Sequence, residues 1–326
     1  MHRVFATSLG SWFLLLSIAI AGCGHSTSDS DSADEGKGVI GYSALALENA
    51  FFKTIADTME EEANSHGYEL LVNDAKKDAA QQAAHIDNYI ARQVVAIVIN
   101  PADRKGMGAA IKRANEAGIP VFTNDTKCVA DGVKIAGHAG TDNLQGGEVA
   151  GAAMIEVLGK TGGEVGILHF PQAHSCVLRV QGFKKVIDAH NKENPDTQIK
   201  IVTELEGGGQ QGKSTESTTA MMTAHPEISA IFAINDPSAL GAYKALEESG
   251  RAGKVTIIGF DGELAGRKAI KAGKIYADPI QFPKKMARVT IENIVKYQNG
   301  EAFEMEQLFP TELYRKSDAD ADPELP

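Results

Sequence analysis

The sequence predicts an α/β protein in which doubly wound parallel sheets form two lobes. From Val39 onward, short apolar runs alternate with amphipathic stretches. Most of the runs are apolar on both faces, as strands that are covered by helices on two sides require. The segment 138–151 has no strand signal and separates two series of runs, so we expect a crossing between the lobes near Thr141 and Asp142.

The apolar runs of the two series are the candidate strands. The first series is VIGYSA (39–44), ELLVNDA (69–75), VAIVINP (95–101) and IPVFTND (119–125). The second is EVGILHF (164–170), IKIVTEL (199–205), AIFAIND (230–236), VTIIGFD (255–261) and IYADPIQ (275–281). Helix candidates lie between them: Asp78 is a predicted N-cap, and Gly118 is predicted to end another helix. Periodicity alone assigns the late helical pattern 282–300 to neither lobe.

Polar side chains stand at the carboxyl ends of these runs, where open α/β sheets bind ligands. They are Asn100, Asn124, Asp125, Asn235, Asp236, Asp261 and Gln281. Asn100 precedes Pro101 and can equally end its strand. Asp236 precedes Pro237, which favours the first helical turn, so we expect Asp236 to cap a helix and Asn235 to face the cleft. The pattern therefore predicts one site to which several strands contribute.

The N-terminal residues have the features of a secretory signal. Arg3 is followed by an apolar stretch over 4–21 and by small residues before Cys23. The residues IAGC (20–23) resemble the bacterial lipobox, which implies a signal peptide over 1–22, acylation of Cys23 and an extracytoplasmic protein held on a bacterial membrane. A transmembrane anchor is the alternative. We expect the polar residues 23–38 to be a flexible tether and 317–326 to be a disordered tail.

Composition excludes some partners. The net charge of −11 and the pI near 5.3 argue against a nucleic-acid surface, so no nucleic-acid partner is predicted. Besides Cys23, the chain has only Cys128 and Cys176. Two cysteines without a spacing pattern favour separate thiols, although a disulfide between them is an alternative outside the cytoplasm.

One motif indicates a different function. The residues GGGQQGKS (207–214) fit the phosphate-loop pattern G-x-x-x-x-G-K-[ST], and an ATPase would use Lys213 and Ser214. The pattern also arises by chance in a glycine-rich chain, and nucleoside triphosphate is scarce outside the cytoplasm. The sequence has no G-x-S-x-G or H-E-x-x-H motif. We therefore predict no catalytic residue, no metal site and no cofactor.

Several segments together resemble one known family. They are AFFKTIADTMEEEANSHGYELLV (50–72), NPADRKGMGAAIKRANEAGIPVFTND (100–125), TDNLQGGEVAG (141–151), TAHPEISAIFAINDPSALGAYKAL (223–246) and VTIIGFDG (255–262). In unbroken order they resemble the ribose-binding-protein-like family, the type I periplasmic sugar-binding proteins of ABC importers. The resemblance covers roughly 38–315.

The resemblance implies a fold and a function. Two α/β lobes would be joined by three crossings, with 39–141 and 282–307 in the N-terminal lobe and 142–281 and 308–316 in the C-terminal lobe. The protein would be a monomer without enzymatic activity that binds a monosaccharide or polyol by hinge closure and serves an ABC permease. Presentation of the sugar to a chemoreceptor or sensor kinase is the alternative. The signal sequence and the lack of an N-terminal helix-turn-helix argue against a regulator on the same fold.

The resemblance also implies the ligand-binding residues. They are Asn49, Phe51, Phe52, Asp125, Arg179, Asn235, Phe260, Asp261 and Gln281. We expect one of the two adjacent phenylalanines to be mostly core. Thr126, Ala50 and Gly209 depart from the family pattern, which leaves the identity of the sugar open. Gly209 stands where the family usually has an aromatic residue, so we expect the glycines of the phosphate-loop match to line a sugar cleft.

Overall fold

The structure of the protein, a computed structural model, describes residues 36–325. The predicted signal peptide over 1–22, the predicted lipidation site Cys23 and most of the predicted tether 23–38 lie outside the described residues. Within 36–325, no helix combines the length and the hydropathy that a membrane crossing requires.

The first lobe is built on a six-stranded sheet. Its strands are β1 (Val39–Ala44), β2 (Glu69–Asp74), β3 (Ala96–Ile99), β4 (Val121–Asn124), β5 (Gly137–Thr141) and β11 (Glu306–Phe309). The order is β11-β5-β4-β3-β1-β2, and every pair is parallel. Its helices are α1 (Ala50–Ser65), α2 (Ala79–Ala91), α3 (Gly108–Glu116) and α9 (Pro283–Gln298). The late helix therefore belongs here, packed on α1 and β5.

The second lobe repeats the plan. Its strands are β6 (Gly163–His169), β7 (Ile199–Glu206), β8 (Ile228–Ala233), β9 (Thr256–Ile258), β10 (Ala277–Pro279) and β12 (Leu313–Arg315). The order is β12-β10-β9-β8-β6-β7, and only the β10–β12 pair is antiparallel. Its helices are α4 (Asn143–Leu158), α5 (His174–Glu193), α6 (Gln211–Ala224), α7 (Asp236–Glu248), α8 (Leu264–Lys271) and α10 (Lys316–Ala321). The chain thus passes between the sheets three times, after β5, β10 and β11.

The strand β5 corrects a prediction, because the sequence gives no strand signal for its residues. The strand contains two glycines, a histidine and no branched apolar residue. It is nevertheless central, between β4 and β11. A Cβ atom on Gly137 would lie 2.9 Å from the ring of Phe122, so close packing against the neighbouring strand favours glycine at this position. Where close packing requires glycine, the strand lacks the branched apolar residues that predict a strand from sequence.

Helix ends follow the predicted signals with one exception. The Asp78 carboxylate accepts hydrogen bonds from the amides of Ala80 (2.7 Å) and Gln81 (3.0 Å), so the predicted N-cap is confirmed. At α7 the prediction was wrong, because the cap is Asn235, whose side-chain oxygen accepts from the Ser238 amide at 3.0 Å.

The residue predicted to cap α7 has another partner. Asp236 is the first residue of the helix and is buried, and its carboxylate accepts from the Glu263 amide at 2.7 Å. A buried carboxylate needs such a donor, which explains why Asp236 turns away from the helix end.

The C-terminal residues also differ from expectation. The segment 317–326 was predicted to be disordered, but α10 begins at Lys316 and the chain packs on α8. Arg267 donates to Asp322 at 2.6 Å and to Glu324 at 2.7 Å, and the side chain of Leu325 is buried. The composition of this segment is typical of a disordered tail, but its acidic residues and its one leucine contact residues of α8. In addition, β11 ends at Phe309, two residues beyond the predicted lobe boundary at 307.

The two cysteines among the described residues do not form a disulfide. Cys128 and Cys176 are both free and buried. Burial raises the pKa of the Cys128 thiol and raises that of Cys176 to about 12. The separate thiols that the sequence favours are therefore what the structure shows.

Candidate functional site

The predicted site residues surround a cavity between the two lobes. Its empty volume, counted with the space that opens to solvent, is about 420 Å³. It is lined by Leu45, Asn49, Phe51, Phe52, Lys77, Asp125, Phe170, Ala173, Ser175, Cys176, Arg179, Gly208, Gly209, Asn235, Asp261 and Gln281. Both lobes contribute, because the carboxyl ends of both sheets point into the same space.

The start of α1 supplies one wall. The side-chain oxygen of Asn49 caps the helix by accepting from the Phe51 amide at 2.9 Å, which leaves the amide nitrogen of Asn49 for a ligand. Phe51 and Phe52 follow in the first turn, and their rings meet edge to face with centroids 5.2 Å apart. Both rings line the cavity and both are buried, so their wall is apolar and rigid.

Asp125 supplies an unsatisfied acceptor. It follows β4 directly with φ near +61°, and its amide donates to the Ala139 carbonyl at 2.9 Å. The side chain is 5% exposed, and its Oδ1 has no hydrogen-bond partner among residues 36–325. Burial raises the pKa of this carboxyl to about 7, Arg179 opposes the rise and Asp261 adds to it. A ligand hydroxyl would satisfy this oxygen.

Arg179 supplies donors from α5. The guanidinium is buried: Nε donates to Asn143 (2.8 Å), and Nη1 donates to the Ile234 carbonyl (2.7 Å) and to Asp261 (3.0 Å). The guanidinium carbon stacks 3.8 Å from the centroid of the Phe260 ring. Within the described chain Nη2 makes no hydrogen bond, so it can donate to a ligand. The fixed bonds hold the guanidinium plane in one orientation.

Asp261 and Gln281 tie the site to the crossings between the lobes. Asp261 Oδ1 accepts from the Gln281 amide at 2.6 Å, and the Gln281 oxygen accepts from the Thr141 hydroxyl at 2.7 Å. Thr141 ends β5 at the first crossing, and Gln281 lies at the second. Burial raises the pKa of Asp261, against the attraction of Arg179. One hydrogen-bonded chain therefore joins the ligand-facing carboxylate to two hinge segments.

The glycine loop after β7 lines the site and is not built as a phosphate loop. The amide nitrogen of Asn235 donates to the Gly209 carbonyl at 3.4 Å. Lys213 donates to Glu206 at 2.9 Å, and the buried Ser214 hydroxyl donates to the Gly207 carbonyl at 3.3 Å. The hydroxyl that a phosphate loop would offer to magnesium is enclosed in the protein, so the geometry argues against an ATPase.

Eight of the nine predicted site residues line this one cavity, and Phe260 does not. Phe260 is fully buried behind Arg179, where it supports the guanidinium instead of facing a ligand. Sequence reasoning missed the lining residues Leu45, Lys77, Phe170, Ala173, Ser175 and Cys176. A signal existed for Ser175 and Cys176, because they stand four and three residues before Arg179 on one helix face. Lys77 follows the carboxyl end of β2, where the rule for open sheets places ligand contacts.

The lobes contact each other across the cleft between them. Arg104 of the first lobe donates from its backbone to the Gln172 carbonyl at 2.8 Å and from Nε to the Pro171 carbonyl at 2.9 Å. The Ser175 amide donates to the Thr126 hydroxyl at 3.2 Å. These contacts place the protein in a closed arrangement. Between residues 36 and 325, no group of three or more His, Cys, Asp or Glu side chains is placed to hold a metal ion.

Comparisons with known proteins agree with this geometry. The chain matches the family described as periplasmic binding protein domain over residues 40–302. It is 30% identical to the ribose import binding protein of Salmonella typhimurium over 277 residues, which cover 85% of this chain and 90% of that protein. It is 32% identical to the D-ribose/D-allose-binding protein of Pseudomonas aeruginosa over 271 residues, which cover 80% and 82%.

Solved structures are similar as well. An ABC transporter periplasmic solute binding protein from Actinobacillus succinogenes with bound D-allose matches with a TM-score of 0.78 and 30% identity, over 88% of this chain and 100% of that one. A solute binding protein from Bacillus halodurans with bound myo-inositol matches with a TM-score of 0.79 and 28% identity, over 89% and 98%.

The chain belongs to the periplasmic binding protein family, in its type I sugar-binding branch. This is a family of binding proteins of ABC importers, and the chain is accordingly not an enzyme.

Proposed function

We propose that the protein binds a neutral monosaccharide or polyol between its lobes and delivers it to an ABC permease. The observation that carries this proposal is the convergence of Asp125, Arg179, Asn235, Asp261 and Gln281 on one buried cavity beside two phenylalanine rings. Relatives named for ribose and allose import, and similar structures with bound D-allose and myo-inositol, support this ligand class.

The chemistry of the cavity suits hydroxyl groups. A sugar hydroxyl both donates and accepts, so it pairs with the fixed forks of carboxylate, amide and guanidinium groups. Neutral hydrogen bonds contribute about 0.5–1.5 kcal/mol net and charged ones about 1.5–3 kcal/mol. Several of them supply the roughly 8 kcal/mol of micromolar binding after the ordering costs of association. The phenylalanine rings would pack on the C–H face of the sugar ring.

Binding would favour the closed arrangement of the lobes. Asp125 lies on the first lobe and Arg179 on the second, so one ligand can satisfy both only when the lobes meet. A ligand shifts a conformational equilibrium by its difference in affinity for the two states. Here that difference comes from the contacts that the ligand makes with the second lobe. The closed surface would then be the form that the permease recognises.

Membrane attachment and oligomeric state are part of the same proposal. The residues IAGC (20–23) support acylation of Cys23 and an anchored, extracytoplasmic protein, and the resemblance to the family supports a monomer. Multiple acyl chains would hold it firmly on the membrane. The wild-type protein should partition into detergent, and Cys23→Ser should stay in the aqueous phase. Equal partitioning of the two proteins would exclude the anchor, and light scattering would report the oligomeric state.

The test of function is a thermal-shift screen of the protein against pentoses, hexoses and polyols. A sugar at a hundred times its dissociation constant should add about 2.7 kcal/mol to the free energy of unfolding. The Asp125→Ala variant should lose most of this shift, and ATP with magnesium should give none. Stabilisation by ATP that is lost in Lys213→Ala, with no response to any sugar, would refute the proposal.

A further inference from the structure

Two cavities meet at the edge of the proposed sugar site. The inner cavity is the interlobe site, and an outer cavity with an empty volume of about 860 Å³ lies beside it. Three residues line both cavities: Asn49 and Lys77 from the first lobe and Gly209 from the second. These three residues therefore form the wall between an enclosed site and a more open space.

The wall has no side chain at Gly209. Its φ is near +62°, which L side chains rarely adopt, so the backbone itself favours glycine here. A Cβ atom at this position would lie 3.2 Å from the Asn235 amide nitrogen and 3.5 Å from the Phe170 ring, both of which line the inner cavity. Any larger side chain would project against the inner cavity. The bare backbone leaves room for a ligand to extend past it.

The charges around the outer cavity are already paired. Lys77 lies 3.2 Å from Glu48, and Lys213 lies 2.9 Å from Glu206. The Lys77 side chain is only 17% exposed, and burial lowers its pKa. Because both ammonium groups have a carboxylate partner, the cavity does not offer an unbalanced positive field to an anion.

Amide groups supply the remaining polar lining. Gln210 and Gln211 line the outer cavity only, and both side chains are exposed. Asn49 contributes the amide nitrogen that its capping oxygen leaves unused. An amide both donates and accepts hydrogen bonds from one planar group. It therefore pairs better with neutral hydroxyl groups than with an ion or an apolar group.

We propose that the outer cavity is a second subsite, which holds a neutral hydroxyl-bearing substituent, such as a second sugar unit, on the sugar in the inner cavity. This inference rests on the proposed sugar-binding function and extends its substrate class from monosaccharides to glycosides and disaccharides. The substituent passes the wall at Gly209 and meets the amides of Gln210 and Gln211.

Calorimetric titration of the protein tests this inference. The monosaccharide probes are D-ribose, D-allose, D-fucose and myo-inositol. The extended probes are trehalose, nigerose, maltose, isomaltose and galactosyl-myo-inositol, which carry the second unit at different ring positions. We expect at least one extended probe to bind within tenfold of the best monosaccharide or more tightly.

Two variants test whether the second sugar unit lies in the outer cavity. Gln210→Trp adds a bulky ring at a residue that lines the outer cavity but not the inner one, and it should weaken the extended probe by tenfold or more while changing monosaccharide affinity less than threefold. Gln198→Trp is the matched control, because Gln198 is an exposed glutamine just before β7, at the opposite end of that strand from Gln210. It should change neither affinity.

The outcomes separate the two proposals. If monosaccharides bind and every extended probe is weaker than the best of them by more than tenfold, the second subsite is refuted and the sugar-binding function stands. The subsite is also refuted if an extended probe binds and Gln210→Trp leaves its affinity unchanged. If no probe of either kind binds, the proposed function fails and the inference fails with it.

Discussion

At the scale of single residues, Asp125 is the group whose protonation would change most when a ligand binds. Its pKa stands near 7 because burial disfavours the charge. A hydroxyl that donates to Oδ1 favours the carboxylate, since hydrogen bonds to charged groups are stronger than neutral ones. Binding should therefore lower the pKa of Asp125 and release a proton when the pH is below 7.

This linkage predicts that sugar affinity rises with pH. Between pH 5.5 and pH 8 the affinity should increase by about thirtyfold, because the ligand binds the deprotonated form of a group whose pKa is about 7. Asp125→Asn should weaken binding at pH 8 by about 1.5–3 kcal/mol and remove most of the pH dependence. Calorimetry in buffers of different ionisation enthalpy measures the proton release. Tighter binding at pH 5.5 than at pH 8 would contradict the prediction.

At the same scale, Phe260 shows why a site residue can be inferred at the right place with the wrong role. The sequence places it next to Asp261 at a strand end, which is correct. Sequence position does not say on which side of the backbone a side chain lies. Arg179 supplies donors to the cavity and needs a flat surface behind its guanidinium, and the Phe260 ring provides that surface at 3.8 Å.

At the scale of elements, the start of α7 and strand β10 meet through two buried carboxyls. Asp236 and Asp278 are both fully buried, and their side chains can hydrogen-bond to each other only through a shared proton. Burial raises the pKa of both groups, and that of Asp278 reaches about 7. The folded protein therefore holds a proton in the pH range where the unfolded chain has released it.

The sign of the resulting pH effect follows from the raised pKa. The stability from the protonated Asp278 is complete below pH 4, where both states hold the proton, and it is lost as the pH rises to about 7. Asp278→Asn is neutral at every pH. Its Tm should exceed that of the wild-type protein by about 2 °C or more at pH 8 and by clearly less at pH 5.

The matched control for this prediction is Asp196→Asn, at an exposed aspartate between α5 and β7. It should shift the Tm at neither pH. The opposite trend would contradict the prediction. If the Tm of Asp278→Asn falls relative to that of the wild-type protein as the pH rises from 5 to 8, the carboxyl pair is charged and stabilising.

The loop before α3 provides a second test among the elements. The Nε of Arg104 donates to the Pro171 carbonyl across the cleft between the lobes, a contact that exists only when the lobes are closed. Arg104→Ala should weaken sugar binding by about 1 kcal/mol, roughly fivefold, and the effect should appear in the dissociation rate. Stopped-flow measurements would show it.

Lys105→Ala is the control for the Arg104 test, because this exposed neighbour makes no side-chain contact across the cleft among the described residues. The two variants should therefore differ. Equal dissociation rates in Arg104→Ala and the wild-type protein would show that this bond does not hold the lobes together.

Some strands of the fold can be predicted from the sequence and others cannot. The apolar runs predict nine of the twelve strands within residues 36–325, because most of these strands are covered by helices on both faces. The strands β5, β11 and β12 could not be recognised, since β5 needs glycine for close packing and the last two are short strands at sheet edges. Likewise, the lining residues from loops, such as Phe170 and Ala173, have no periodicity and are placed only by the fold.

At the scale of the whole molecule, the fold predicts that access to the cavity requires separation of the lobes. Cys176 lines the cavity and is 6% exposed, and burial raises its pKa to about 12. A thiol reagent can therefore reach it only when the protein opens. With Cys23→Ser and Cys128→Ser, Cys176 is the one remaining thiol.

Alkylation of this variant by iodoacetamide should report opening. Saturating sugar should slow the reaction by tenfold or more, because the reactive population is the open one. Adding Arg104→Ala should speed the reaction in the absence of sugar. A rate that does not respond to a sugar that binds would mean that Cys176 is reached without lobe separation.

The interleaving of the two sheets has a consequence for biogenesis. Strand β11 completes the first sheet and β12 the second, and both come from residues 306–315. During synthesis neither sheet can therefore be completed until these last residues have left the ribosome, because each sheet gains one of its edge strands from them. Contacts that span the chain in this way form slowly. Such a delay would keep the precursor unfolded long enough to be threaded through a translocon before it acquires its native shape.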